Sequence, residues 1–394
     1  MKLEFLGMQL NIWGLYCTIG ALCAVAAMSV VCISRKMKPL SAPVLGLASL
    51  LMGMICSRVV YCLFTTLTEV RMPISAWIRL TDGGWSLFGM IGGVMLAAWI
   101  SAKIVGEEPR RMLDAVSVAL PLMIAAERLG EGSLQPFLEE TKDLFNLSRP
   151  ITGNGFLTIT NQNQTYLATY LIDAVLALIL FLALAFSLTG RKRRNGDLWV
   201  LFLVLCGAGG ILAESLRKDQ YLEYSFVRIQ QVLAAVMLFA GVFLSGWKSG
   251  KGEKRLYRTA LISTALLVAE CIGLEFVLDR DRLTHSVLYG VMITALLIPV
   301  VESMVLLHRK NAEAEGNGMS VNALMAAALT AVSLSATEVL SMILEMGRAH
   351  KSDKFLLLVL FSSAAVFAVH SVMIFLTIRE KCRTDGPNMV EGER

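Results

Sequence analysis

Charge is scarce in this chain. Asp, Glu, Lys and Arg make up 17% of its 394 residues, whereas soluble globular domains run near about 25%. Together with a hydrophobic content of 56%, this excludes an ordinary soluble domain. The cysteines form no CxxC and no metal-ligand spacing, so neither a metal centre nor a dithiol redox motif is expected, and no cofactor is implied. All but Cys382 fall within apolar runs, where a thiol acts as a small apolar side chain. No internal repeat and no low-complexity segment is evident. The formal net charge is +5, but the excess is spread over short loops, which gives no reason to expect a nucleic-acid partner.

What the chain does have is long apolar runs. They lie at 12–34, 40–64, 84–105, 114–127, 166–190, 198–214, 226–247, 257–278, 286–307, 321–345 and 355–378. Most are long enough to cross a ~30 Å hydrocarbon core as a helix; the fourth is short. Only helices and closed barrels satisfy every backbone polar group in lipid, and run length selects helices. The expected fold is an all-α polytopic membrane protein. The first run has no small-residue cleavage site behind it and ends in Arg35-Lys36-Met37-Lys38, so it reads as a retained helix. Lys and Arg collect in alternate loops, around Arg35, Arg110, Arg191 to Arg194, Lys251 to Arg258 and Arg309. The positive-inside rule then places the N-terminus outside and the C-terminus in the cytoplasm.

Two segments punctuate the chain. The stretch 128–165 is a long outer loop rich in Asn, Gln, Thr and Gly, expected to form a small extracytoplasmic cap. The basic, Gly-rich stretch SGWKSGKGEKR at 246–256 reads as a joint. It separates a domain at 1–250, with seven spans, from a four-span extension at 251–394.

Ionisable residues at membrane depth cost about 2.5–3.5 kcal/mol each at a helix centre and are functional hypotheses by default. In the first block these are Arg58, Asp82, Asp114, Glu127, Arg128, Asp173, Glu214 and Arg217. Asp114 follows a basic loop, a helix-capping position, and Glu214 and Arg217 are spaced to pair on one helix face. Snorkelling to the headgroups would account for any single arginine. Arg58, Arg128 and Arg217, converging at one bilayer surface, would instead match a phosphate bidentately. Charge placement thus points to a membrane protein able to hold a phospholipid headgroup.

Several blocks resemble the bacterial prolipoprotein diacylglyceryl transferase family. Ile12-Trp13-Gly14-Leu15 stands where that family has Trp-Tyr-Gly-Leu, and Ser57-Arg58-Val59-Val60-Tyr61-Cys62-Leu63-Phe64 is similar to its Gly-Arg-x-x-Tyr-x-Leu-Phe. Asp82-Gly83-Gly84-Trp85-Ser86 resembles Asp-Gly-Gly-x-Ser. Asp114 through Pro121 to Arg128-Leu129-Gly130 resembles the family's Asp-to-Pro run and arginine signature. Glu214-Ser215-Leu216-Arg217 resembles Glu-Phe-Phe-Arg, and Gln231, Leu233 and Gly241 fall where the seventh helix has Gln, Leu and Gly. The resemblance implies a seven-helix core with an extracytoplasmic head, here followed by about four additional helices. It implies phosphatidylglycerol and preprolipoproteins as partners at the bilayer. The implied reaction moves a diacylglyceryl group onto a lipobox cysteine as a thioether and releases glycerol phosphate. Arg128 and Arg217 would hold the phosphate, with Arg58, Asp82, Gly83, Gly84, Ser86, Glu214 and Gln231 on the substrates. Gly83, Gly84, Gly89 and Gly92/Gly93 would let lipid and neighbouring helices approach bare backbone.

Phe88-Gly89 stands where the family has His-Gly, and Glu131 where its signature has Asn. Asn163-Gln164-Thr165-Tyr166-Leu167-Ala168 stands where it has His-Pro-Ser-Gln-Leu-Tyr. A general base contributes about 10²–10⁴-fold, but a thiol with pKa ~8.5 is already partly thiolate near neutrality. Glu131 is placed either to supply a base or to pair with Arg128. Beyond the resemblance, Glu270, Glu302, Glu338 and His370 lie at or toward membrane depth in the last four spans. Three readings follow: a transferase, an inactive lipid- or protein-binding relative, and a transporter built on these later acidic residues.

Overall fold

The computed structural model describes residues 2–5, 8–68, 72–79, 84–134, 146–148, 150–151, 155, 157–161, 163–189, 194–217, 223–224, 227–247, 254–279, 285–315, 361 and 364–372. The protein is an all-α polytopic membrane protein. Among the described residues, eight helices are long and apolar enough to cross a membrane. Asp82, Gly83, Glu338 and most of the two last expected spans lie outside the described residues.

The chain divides into two compact units, Met1–Phe202 with Gly209–Ala234, and Leu203–Ala208 with Ala235–Arg394. The first unit opens with an antiparallel hairpin of β1 (Lys2–Phe5) and β2 (Met8–Asn11), Lys2 pairing with Asn11. Helices α1 (Ile12–Ser34), α2 (Ser41–Thr68), the short α3 (Ile74–Ile78), α4 (Leu87–Val105) and α5 (Pro109–Glu131) follow. After the cap come α6 (Thr169–Thr189), α7 (Asp197–Leu216) and α8 (Ile229–Gly246), the last two shared with the second unit. The main packing pairs are α2 with α4, α1 with α5, and α5 with α6.

The fourth expected span begins five residues early. Pro109 at the first helical turn starts α5 ahead of Asp114, where a proline costs the helix no hydrogen bond. The helix carries too many charges to count as an apolar span, yet most of its length is buried, including Asp114, Arg128 and Glu131. Its partners lie in the protein interior, which is how a charged helix can run at this depth.

Asp114 does act as a cap, but of another helix. Its Oδ2 accepts from the Gly196 N–H at 2.9 Å and its Oδ1 from the Trp199 N–H at 3.1 Å. Gly196, at φ 97°, brings no side chain to the start of α7, so the carboxylate of α5 satisfies donors that would otherwise be orphaned. At the other helix end, Lys38 Nζ donates to the carbonyls of Val105 and Gly106 at 2.9 and 2.7 Å. Part of the basic loop charge therefore closes helix C-termini.

The glycines of α4 mostly serve helix packing. A Cβ on Gly89 would stand 2.7 Å from the Cys56 carbonyl oxygen and 2.9 Å from Ser57 Cα. One on Gly93 would collide with the backbone of Met52. Small residues at these two positions let α4 lie directly on the α2 backbone. Gly92 faces open space, so packing gives no account of it. Gly84, at φ 77°, sits where a Cβ would strike the Tyr61 ring.

The expected cap contains a small antiparallel sheet of β3 (Pro150–Ile151), β4 (Thr158–Asn161) and β5 (Gln164–Leu167), with β5 central. The polar run that suggested only a loop holds the β4–β5 turn, Asn161 pairing with Gln164 and Asn163 taking φ 61°. A second hairpin, β6 (Glu223–Tyr224) with β7 (Val227–Arg228), precedes α8. In the second unit, α9 (Lys254–Asp279) packs against α10 (His285–Glu315), and residues 364–372 are helical.

Asp114→Ala removes both acceptors at the start of α7. Hydrogen bonds to charged groups are worth about 1.5–3 kcal/mol each, so the variant should unfold well below the wild type in detergent thermal scans. Asp114→Asn, which keeps one acceptor, should lose less.

Candidate functional site

The end of α5 places Arg128 among carboxylates. Its Nη1 lies 2.6 Å from Glu131 Oε1, and its Nε lies 3.5 Å from both Glu127 Oε2 and Asp173 Oδ2. Its Nη2 takes part in none of these contacts. Glu127 and Glu131 come from the same helix, while Asp173 stands in the first turns of α6. The packing of α5 on α6 brings that carboxylate in.

Glu131 is held from the other side as well. Asn146 Nδ2 donates to its Oε2, and the Thr169 hydroxyl donates to Asn146 Oδ1 at 2.7 Å. Asn146 adopts φ 51°, a left-handed conformation that Asn tolerates better than most residues. The resulting chain runs from Thr169 through Asn146 and Glu131 to Arg128, and all four residues are buried. Both Glu131 oxygens are engaged, one of them in the pairing with Arg128 that was one of the two expectations for this residue.

Arg217 caps the C-terminus of α7, its Nη1 3.1 Å from Glu214 Oε1 one turn earlier. Its backbone carbonyl accepts from Arg228 Nη2 at 2.8 Å. The two arginine pairs are neighbours. Asp173 is within electrostatic reach of both Arg128 and Arg217, and Glu214 acts on Arg128 as well as on its own partner. Four carboxyl groups thus surround two guanidiniums, with Arg228 as a third cation behind them. Arginines suit such buried pairing because the guanidinium stays charged and presents a rigid fork of donors.

A cavity of about 400 Å³ opens beside this network between α1, α2, α4 and α5. Its walls are mainly apolar, with Val25, Met28, Leu50, Met54, Met90 and Leu120 among them. Among its lining residues, Glu127 is the charged one, and it is the same carboxylate that contacts Arg128. A cavity of this size and lining suits a largely apolar ligand, with Glu127 as the charged part of its wall.

The remaining expected site residues fall in different places. Arg58 is buried, with Nη1 3.0 Å from the Gly84 carbonyl and Nη2 2.6 Å from that of Ala76. Its guanidinium lies over the Tyr61 ring at 5.7 Å. It therefore fastens the segment before α4 to α2 and does not snorkel to the surface. Ser86 caps α4 by accepting from the Gly89 N–H at 3.2 Å, and its carbonyl accepts from Ser57 Oγ at 2.8 Å. It also lines the cavity. Gln231, in the first turn of α8, has a buried Nε2 without a hydrogen-bond partner among the described residues. Phe88 stands near Gly210 of α7, its ring 3.7 Å from where a Cβ would be.

Asn146, Thr169 and Arg228 join the network without having been singled out from the sequence. Polar residues in a long loop and at helix starts look like ordinary turn and cap residues. Only the fold shows that they converge.

The chain matches the family model described as prolipoprotein diacylglyceryl transferase over residues 2–247. Among curated proteins it is 27% identical over 173 residues to the phosphatidylglycerol--prolipoprotein diacylglyceryl transferase of Symbiobacterium thermophilum, covering 43% of this chain and 63% of that protein. The enzyme of the same name from Fervidobacterium nodosum is 26% identical over 209 residues, 52% of this chain and 69% of the relative. That of Clostridioides difficile is 25% identical over 206 residues, 52% of this chain and 77% of the relative.

Glu131→Ala strips Arg128 of its shortest ion pair and leaves Asn146 without its carboxylate. Removing one partner of a buried pair costs about 3–5 kcal/mol, so this variant should show a clear drop in melting temperature. Glu131→Gln should fall between it and the wild type in the same thermal scan.

Proposed function

The chain belongs to the prolipoprotein diacylglyceryl transferase family, and from that premise we propose that it transfers the diacylglyceryl group of phosphatidylglycerol to the lipobox cysteine of preprolipoproteins. The observation that carries this reading is the apolar cavity lined in part by Glu127, whose carboxylate lies 3.5 Å from the Arg128 guanidinium. An anionic lipid needs both features together: apolar wall for a chain and guanidinium donors for a phosphate.

In this reading the lipid phosphate is received by Arg128, through the Nη2 edge left outside its ion pairs, and by Arg217. The thiolate sulfur attacks the glycerol carbon that bears the phosphate ester. A carbon–sulfur bond forms, the carbon–oxygen bond breaks, and glycerol phosphate leaves with the electron pair. The guanidiniums stabilise the charge that grows on the departing phosphate. Glu131, with both oxygens engaged, positions Arg128 and is not assigned as the base. Arg58 and Ser86 shape the rim next to Gly84, while Glu214 orients Arg217. Gln231 carries a buried donor available to a ligand oxygen. Asp82 and Gly83 remain in the proposed site on their motif alone.

The thiol reacts as the thiolate fraction already present near neutrality. Phe88 then slows the reaction without removing it. The alternative is a relative that binds the lipid and has lost turnover, and it is favoured by the same Phe88 and by arginines already paired with carboxylates. The proposed setting is the bacterial cytoplasmic membrane, N-terminus outside and C-terminus inside, with residues 251–394 as an appended helical domain.

Arg128→Ala and Arg217→Ala should each lower transfer of radiolabelled lipid to a lipobox peptide by about 10²–10³-fold or more, the range for losing a transition-state donor. Arg→Lys at either position should rescue only in part, because the bidentate fork is gone. Complementation of a transferase-depleted bacterium separates the two readings. Growth supports the enzyme, whereas copurifying phosphatidylglycerol without thioether product identifies the inactive binder.

Phe88→His should raise the transfer rate at least about tenfold, a modest share of what a general base can supply. An unchanged rate in a folded, active protein would show that this position does not serve thiol activation.

A further inference from the structure

We propose that Glu302 and His370 form a proton-binding site within the second unit, holding one proton between a carboxyl oxygen and an imidazole nitrogen. Both residues lie beyond the 2–247 family match, and the proposal is independent of the transferase reading.

Glu302 sits within the apolar span Leu288–Arg309 of α10, 1% exposed, and His370 on the 364–372 helix is 3% exposed. Glu302 Oε1 and His370 Nε2 face each other at 3.9 Å. Among the described residues neither atom has a hydrogen-bond partner, and both are buried. A third helix reaches the pair through Ser263 of α9, whose Oγ is 3.1 Å from Glu302 Oε2.

The surrounding hydrogen bonds fix where hydrogen atoms can be. The Val366 carbonyl can only accept, so His370 Nδ1, at 2.7 Å from it, is the donor. In the neutral ring Nε2 then carries a bare lone pair. Ser263 has one hydroxyl hydrogen and two acceptors within reach, Ala260 O at 2.9 Å and Glu302 Oε2. If that hydrogen goes to Ala260, the serine oxygen also turns a lone pair toward the carboxyl group. An ionised Glu302 can draw the Ser263 hydrogen to Oε2, but its Oε1 would still face the bare Nε2 lone pair of His370 in a buried site.

One added proton removes the conflict. On Oε1 it gives a neutral acid directed at the Nε2 lone pair; on Nε2 it gives a carboxylate–imidazolium pair. Passage between the two atoms conserves total charge. The polar residues next to the pair or to Ser263 in sequence, Thr264 on α9, Ser303 on α10 and Ser371 beside His370, are uncharged. Among the described residues, no third charged side chain acts on either member, Glu270 and Glu275 of α9 included. His308 lies further along the same helix, α10. A metal is a poor occupant, since one carboxylate and one imidazole fall short of the four ligands of a zinc site. Losing the proton strands a bare carboxylate, so release requires water or a polar group to reach Oε1. Helix α10 and the 364–372 helix must then separate, which makes the packing of this unit proton-dependent.

Infrared spectra of the full chain in lipid nanodiscs, recorded from mildly acidic to alkaline pH, test this together with histidine nitrogen NMR. The expected result is a protonated-carboxyl band at neutral pH that is absent from Glu302→Gln, with His370 protonated at Nδ1 alone. Equally supportive is no such band but an imidazolium at His370, the ion-paired form. The proposal is overturned if wild type and Glu302→Gln give the same carboxyl band region while His370 stays neutral. The NMR arm uses wild-type protein, with His370→Gln serving only to assign the signal, so misfolding of a variant cannot decide the result.

Discussion

A charged group inside a membrane protein survives only where opposite charge and donors surround it, and Arg128 is where that constraint bears hardest here. The end of α5, the start of α6, the cap residue Asn146 and the C-terminus of α7 all send groups toward it. Removing any one element would leave buried charges uncompensated. The network therefore does two jobs with one set of atoms. It locks four segments together, and it keeps two guanidiniums buried, Arg128 against the carboxylate that lines an apolar hollow.

Four carboxyl groups around these guanidiniums change what the site asks of a ligand. A bare arginine clamp would draw any anion. Here an incoming phosphate meets donors already partly used, so it must fit the remaining edge or displace a carboxylate. Both routes would favour a ligand that brings extra binding energy from elsewhere, as the proposed lipid would if its chain entered the neighbouring cavity. In that proposal, specificity would arise from coupling the two halves, because neither half alone offers a strong site.

The apolar helices were legible in the sequence because span length is set by bilayer thickness, and α1 matches its expected limits of 12–34. Helix α5 was blurred, since Arg110 and Arg111 at its start read as a basic loop and put the expected beginning at Asp114. Pairs one helical turn apart, Arg128 with Glu131 and Glu214 with Arg217, followed from spacing alone. Asp173 and Asn146 did not, because nothing local announces which distant helix or turn they will meet. The strands of the cap were hidden for another reason. They are short, and their residues are as polar as the turns that join them, so alternation gave no signal.

The Asp114 cap bears on how the protein is assembled during synthesis. Helix α5 leaves the ribosome before α7, so the carboxylate is waiting when the later segment arrives. The N–H groups at the start of α7 cannot be satisfied by their own glycine lead-in. A chain halted before α5 docks would carry an unfinished helix end. Correct insertion of one segment thus becomes the condition for settling another that follows much later.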